Sequence, residues 1–276
     1  MAMTVTPLRA PLGAEITGID LRRPLPDDIF AAVRRALVDH LVVVISDLPP
    51  DLQSLLAFGR RFGRLVPHVL NQYHHPRTSE VSIISTDPAT GAGRTTGAPA
   101  GAFWHSDLSY DANPSDATFL YSVEIPGHGG DTLFCNMVRA YDALPDATKA
   151  RIAGLTAAHR YGYRGGDAVV DLDKNQGSRH PDVIHPVVRT NRESGLKALF
   201  VNPGFTMRIV GMDEVDSRAL LDELFTHCLR PEFQYRHKWR PGQIVGCDNR
   251  ATMHSATSGY EGKKRTLWRM IVGGSG

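Results

Sequence analysis

The chain has 276 residues, 42% hydrophobic and 22% charged, with a formal net charge of +2. That length holds one large domain or two small ones, and the composition is that of an ordinary globular protein. The charge balance argues against a broad basic surface for nucleic acid, no apolar run approaches the ~20 residues of a membrane span, and the N-terminus lacks a signal-peptide core. Cys135, Cys228 and Cys247 are odd in number and widely spaced. They fit buried free thiols of a reducing compartment, not a disulfide framework or a zinc site, so a cytoplasmic protein is expected.

Residues 8–21 alternate Leu12, Ala14, Ile16 and Ile19 around Gly13 and Gly18, which predicts a short strand and turn. Pro26 followed by Asp27 and Asp28 signals a helix start, with Phe30, Val33 and Leu37 on one face. Residues 41–45 are a continuous apolar, mostly β-branched run, typical of a buried strand. Asp51 opens a second predicted helix through Phe62, with Leu52, Leu55 and Leu56 as its stripe and Gly63 as its cap. Residues 81–85 read as a strand. Residues 87–101, rich in Gly, Ala, Thr and Pro, read as a loop with the makings of a lid.

Strands are predicted at 118–123 and 131–135, and two short helices broken at Pro145 within 140–155. Residues 162–181 are polar and aperiodic, a second lid candidate. Strand-like runs follow at 185–189 and 199–201, then a helix at 213–229, and strands at 233–239, 244–247 and 265–272. Short strands joined by turns, without regular βα alternation, favour a mainly β fold with flanking helices: an antiparallel jelly roll, or double-stranded β-helix. Nothing in the composition marks a boundary, so 1–276 reads as one domain.

The chemistry gathers around Phe103-Trp104-His105-Ser106-Asp107. On a strand, residues i and i+2 share a face, so His105 and Asp107 would stand side by side. A third ligand would complete a 2-His-1-carboxylate site that keeps metal positions open. His254 is the candidate, a short step after Asp248-Asn249-Arg250. Arg265 and Arg269 follow it, four residues apart among apolar neighbours, and would share one strand face. Two arginines so placed imply bound carboxylates, from protein or ligand. Gly129-Gly130-Asp131-Thr132 opens a strand with one hydroxyl suited to a carboxylate oxygen.

Taken in order, these pieces resemble the taurine dioxygenase/2,4-dichlorophenoxyacetate dioxygenase family of Fe(II)/2-oxoglutarate-dependent oxygenases. The resemblance runs from Leu12-Gly13-Ala14 through Trp104–Asp107, the Gly129–Thr132 run, His185-Pro186, Asn202-Pro203-Gly204-Phe205 and Asp248-Asn249-Arg250 to His254, Arg265 and Arg269. It implies that His105, Asp107 and His254 are iron ligands and that Thr132 and Arg265 hold the distal carboxylate of 2-oxoglutarate. It also implies that O2 is a cosubstrate, that succinate and CO2 are released, and that a substrate C–H bond is hydroxylated. Arg269 matches an arginine that binds the substrate anion, and His68 and Phe205 fall at substrate-contacting positions. Asn71 stands where a tyrosine is expected, and Gly101 where taurine dioxygenase has an asparagine. Both departures argue for a small anionic substrate other than taurine: a sulfonate, sulfate ester, aryloxyalkanoate or N-substituted amino acid. A homodimer or tetramer is common in the resembling family.

Two other readings compete. A metal-dependent hydrolase or lyase could use the same three ligands with zinc and a bound water. It would have no need of the fixed dicarboxylate site that Thr132 and Arg265 form. A non-catalytic binding module would have no reason to keep three inward-facing metal ligands.

Overall fold

The computed structural model describes residues 2–48, 51–90, 101–163 and 181–275. Its frame is an eight-stranded sheet with the strand order Thr4–Pro7, Ala14–Thr17, Val42–Ile45, Ile244–Asp248, Ala117–Glu124, Thr266–Val272, Thr78–Ser85 and His74–His75. All its pairings are antiparallel except that of Ala14–Thr17 with Val42–Ile45. A smaller sheet has Thr132–Asn136 at its centre, flanked by Gln234–His237 and Thr252–Ala256.

Side-chain alternation decides which face of the large sheet does what. Val43, Ile45, Phe119, Tyr121, Ile244 and Met270 point one way, into a core shared with the two N-terminal helices. Val42, Val44, Leu120, Val245, Cys247 and Leu267 point the other way, into a core shared with Phe134 and Met253 of the small sheet. Fully burying such an apolar side chain stabilises the fold by roughly 1.5–3 kcal/mol. The strand-to-strand step of two residues therefore delivers Leu267, Arg269 and Ile271 to the face turned toward the cavity.

The helices keep to their sequence signals. Asp27–His40 has its acidic pair in the first turn and ends on Leu41, whose left-handed backbone (φ 65°) turns the chain straight into Val42–Ile45. Asp51 caps Leu52–Arg60 by accepting from the backbone of Gln53 and Ser54. The predicted break at Pro145 separates Met137–Asp142 from Asp146–Ile152, and Glu214–Cys228 is the long C-terminal helix.

Several elements differ from expectation. Residues 185–189 are not one strand: Val183–Pro186 and Val188–Thr190 belong to different sheets. Thr156–His159, Thr206–Ile209 and Thr252–Ala256 are strands that periodicity did not reveal: all are short, and the first and last are nearly buried throughout. The lid candidates fall largely outside the described residues, which include only the ends of 87–101 and 162–181. The three cysteines are free and buried. Among the described residues, no helix is long and apolar enough to cross a membrane.

Candidate active site

His254 lies mid-strand in Thr252–Ala256, and its backbone exchanges two hydrogen bonds with His105, N–H to O at 3.0 Å and 2.8 Å. This isolated bridge, not a strand, positions His105. The chain then enters a turn at Asp107, with Leu108 at φ 54°. The expected strand geometry is thus absent, yet the side chains of His105 and Asp107 still converge.

His105, Asp107 and His254 are buried and offer ligand atoms within 4.8 Å of one another. Asp107 Oδ1 lies 3.8 Å from His105 Nε2, and Oδ2 lies 3.7 Å from His254 Nε2. These separations are too long for hydrogen bonds. The donors converge on a common point without satisfying one another, which is the arrangement a cation would complete. His105 Nδ1 donates to the Phe103 carbonyl at 2.7 Å, so the neutral ring presents its Nε2 lone pair. Burial, together with His105 and Arg269, holds the His254 pKa down at about 3, so its imidazole is a neutral donor near pH 7. Burial, the largest single influence, would raise the Asp107 pKa, but Arg269, the two histidines and the Thr118 hydrogen bond together outweigh it and hold the carboxyl well below the usual range. Two neutral imidazoles and one carboxylate suit a divalent transition metal.

Thr132 and Arg265 meet in the same cavity. The Thr132 hydroxyl accepts from Trp239 Nε1 at 3.0 Å, so its own proton is left to donate into the cavity. Arg265 is 4% exposed, and its Nε and Nη2 donate to the Gly130 carbonyl at 3.1 Å and 2.9 Å. No carboxylate within ion-pair distance accompanies it among the described residues. The glycine run before Thr132 has a steric reason: Gly130 sits at φ 69°, and a Cβ there would lie 2.7 Å from Arg265 Nε.

Arg269 lines the cavity beyond them, its Nη1 3.3 Å from Asp107 Oδ1. The anion implied by two buried arginines is, for Arg269, supplied in part by the protein. Its Nε nevertheless remains buried without a hydrogen-bond partner among the described residues. His68 and Phe205 also line the cavity. The Leu70 amide donates to His68 Nδ1 at 3.0 Å, and burial with the nearby Arg269 charge holds that ring neutral, its pKa down at about 3. Gly101 lines the cavity at φ 76°, where a Cβ would come within 3.3 Å of His105 Cε1.

Asn71 requires correction. It is exposed at the start of a short 3-10 turn, and the side chain that reaches the cavity is Tyr73, ring to ring with His68 at 5.1 Å. A tyrosine thus lines the cavity two residues after Asn71, at the end of the same turn. Sequence reasoning also missed Phe103, Tyr110 and Tyr161, which ring Phe205. They sit in bends and turns with no periodicity, so only their chain proximity to the motifs hinted at them.

The model of the taurine catabolism dioxygenase TauD, TfdA family matches residues 4–271. An alpha-ketoglutarate-dependent 2,4-dichlorophenoxyacetate dioxygenase from Cupriavidus pinatubonensis is 32% identical over 92% of this chain and 92% of its own. Pentalenolactone F synthase from Streptomyces arenae is 31% identical over 98% of this chain and 95% of its own. A taurine dioxygenase structure from Burkholderia xenovorans superimposes with a TM-score of 0.83 at 32% identity, covering 99% of this chain and 90% of that one.

Proposed function

Since the chain belongs to the taurine catabolism dioxygenase TauD/TfdA family and is a 2-oxoglutarate-dependent dioxygenase, we propose that it hydroxylates a C–H bond of a small anionic substrate at an Fe(II) centre. In this reading His105, Asp107 and His254 hold the iron, Thr132 and Arg265 hold the distal carboxylate of 2-oxoglutarate, and Arg269 holds the substrate anion. Bound there, Fe(II) would supply the redox chemistry that couples decarboxylation of the cosubstrate, with O2, to oxygenation of the substrate. The two facing sheets support a double-stranded β-helix, with the whole chain as one catalytic domain.

The observation that carries this reading is Arg265. A buried guanidinium that, among the described residues, hydrogen-bonds only a carbonyl, beside a cavity-lining hydroxyl that already accepts from Trp239, calls for a carboxylate. A zinc hydrolase would not need it. The chain's own residues then divide the work: Arg265 and Thr132 orient the cosubstrate, the neutral imidazoles hold the metal, and Arg269 fixes the charged end of the substrate. Leu70, Tyr73, Phe103, Phe205 and Ile271 give the rest of the cavity an apolar lining that excludes water. This lining and Gly101 favour a substrate with an apolar body larger than taurine. Asn71 no longer contributes to that argument.

The test is succinate release with Fe(II), ascorbate and 2-oxoglutarate across sulfonates, sulfate esters, aryloxyalkanoates and their neutral analogues. Anionic compounds should be preferred. Arg269→Ala should raise the KM for the substrate strongly while sparing slow, substrate-independent succinate formation. A neutral preferred substrate, or taurine turned over as well as any larger anion, defeats the assignment.

A further inference from the structure

Asn249 stands at the centre of a closed hydrogen-bond circuit around Asp107. Its Oδ1 accepts from the Asp107 backbone N–H at 3.4 Å. Its Nδ2 donates to Ser115 Oγ and to Thr118 Oγ1, both at 2.9 Å. A hydroxyl has a single proton. Each of these oxygens already receives a hydrogen from Asn249, so each must direct its own proton elsewhere. Ser115 donates to the Asp107 carbonyl and Thr118 to Asp107 Oδ2, each at 2.6 Å. Flipping the amide would set its NH2 against the Asp107 N–H, and would let both hydroxyls turn away from Asp107. The observed orientation is the only one that satisfies every group.

The circuit is sealed from water: Asn249, Ser115 and Thr118 are at most 1% exposed. It also explains the Asp248-Asn249-Arg250 motif, which the reaction itself leaves unused. Arg250 grips Asp248 through Nε and Nη2 at 2.8 Å and 2.7 Å, and passes the contact on to Glu193, which Arg34 of the first helix also holds. The turn that carries Asn249 is thereby pinned on both sides of the asparagine.

We infer that Asn249 and Thr118 are positioning residues of the metal centre. Asn249 fixes the direction of the Thr118 hydroxyl, and Thr118 commits Oδ2 of Asp107. The carboxylate therefore enters the site in one rotation, with Oδ2 held by Thr118 and Oδ1 facing Arg269 Nη1 at 3.3 Å. The left-handed Leu108 that follows Asp107 is held in place by the same bonds to the Asp107 backbone. The inference rests on the proposed metal site.

The experiment measures Mn(II) affinity of the full chain by titration, without 2-oxoglutarate, alongside the thermal melt and the KM for 2-oxoglutarate at saturating metal. Thr118→Val keeps the shape and removes the donor. It should weaken Mn(II) binding about 10–100-fold, the range for lost outer partners of a ligand, while the KM for 2-oxoglutarate holds. Thr118→Ser should restore the affinity. Asn249→Asp replaces the donating amide with an acceptor, turns the Thr118 proton away, and should cost as much alone as when combined with Thr118→Val. If Asn249→Asp does not fold, the Val/Ser pair still decides. Wild-type Mn(II) affinity in Thr118→Val overturns this inference. Absence of Mn(II) binding in the wild type, or binding insensitive to His105→Ala, overturns the metal reading beneath it.

Discussion

The cavity has two ends built by different means. At one end His254, Thr132 and Arg269 stand on ladder strands, and His105 is bridged to the first of these by two backbone hydrogen bonds. Several polar atoms at this end are held by named partners: Phe103 O for His105, Thr118 for Asp107, Trp239 for Thr132 and Gly130 for Arg265; His254 Nδ1 and Arg269 Nε have none among the described residues. At the other end Tyr73, Phe103, Tyr161 and Phe205 come from turns and bends, and meet through ring contacts such as Phe103–Phe205 at 5.7 Å. A ring contact tolerates a change of ring; a directed hydrogen bond does not tolerate loss of its donor. In the proposed reading, the sheets fix the reacting groups and, through Arg269, the substrate's charged end, while the fit of its apolar body is left to side chains that can be exchanged without disturbing a ladder.

The most severe way to break this comparison is at the first end. Asp107→Ala should abolish succinate formation and leave the far-UV circular dichroism unchanged, because the turn is held by backbone and Asn249 contacts rather than by the carboxylate. Residual turnover near the wild-type rate would remove Asp107 from the metal site. A smaller and more selective effect is expected at Arg265. Lysine cannot reproduce a forked pair of N–H donors, so Arg265→Lys should raise the KM for 2-oxoglutarate roughly tenfold or more, the scale of one lost charge-assisted pair. The KM for the primary substrate should move far less. Equal movement of both constants would mean that the two ends are not separable.

The mildest effect concerns the scaffold behind the aromatic end. His159 is fully buried, with Nδ1 3.3 Å from Thr206 Oγ1, the residue after Phe205. Burial, with help from His185 and Arg189, holds its pKa down at about 3 against a reference of 6.5. Below pH 6.5 the unfolded chain takes up a proton that the folded chain refuses until about pH 3. The stability His159 contributes is therefore complete above pH 6.5 and is lost as pH falls toward 3, at no more than about 1.4 kcal/mol per pH unit. Urea unfolding of the metal-free protein should show this fall, and His159→Gln should make it shallower, His68 and His254 keeping their share. An unaltered slope in the variant would show that other groups carry the pH dependence.

Much of the chemistry end could be read from the sequence because its signals are spacings. Arg265 and Arg269 four apart and a glycine pair before Thr132 constrain geometry directly, whereas His105 and Asp107 converge through a bridge and a turn rather than by strand alternation. The helices were legible for a similar reason, since Pro26, Asp51 and Pro145 act locally. Thr252–Ala256 was not, because a short strand buried on both faces has no alternation. Nor could local pattern show that Ile244–Asp248 pairs with Val42–Ile45, some two hundred residues earlier. Tyr73 was missed because Asn71 was placed by the resemblance alone, and a short 3-10 turn carries no spacing that shows which of its side chains reaches the cavity. Thr118 and Trp239 carried no signal: a threonine in a strand and a tryptophan in a core are ordinary until their partners are known.

The reciprocal backbone bridge between His105 and His254 has a consequence for biosynthesis. A nascent chain exposes His105 and Asp107 while His254 is still unmade, and Arg269, one of the groups that favour the Asp107 carboxylate, comes later still. A pair of donors captured early would have no third ligand and no enclosing cavity. The donor set of the proposed metal site is therefore complete only once residue 254 has been made and paired with residue 105. Because main-chain bonds bring the two histidines together, stripping the proposed metal with a chelator should leave the thermal melt of the fold largely in place.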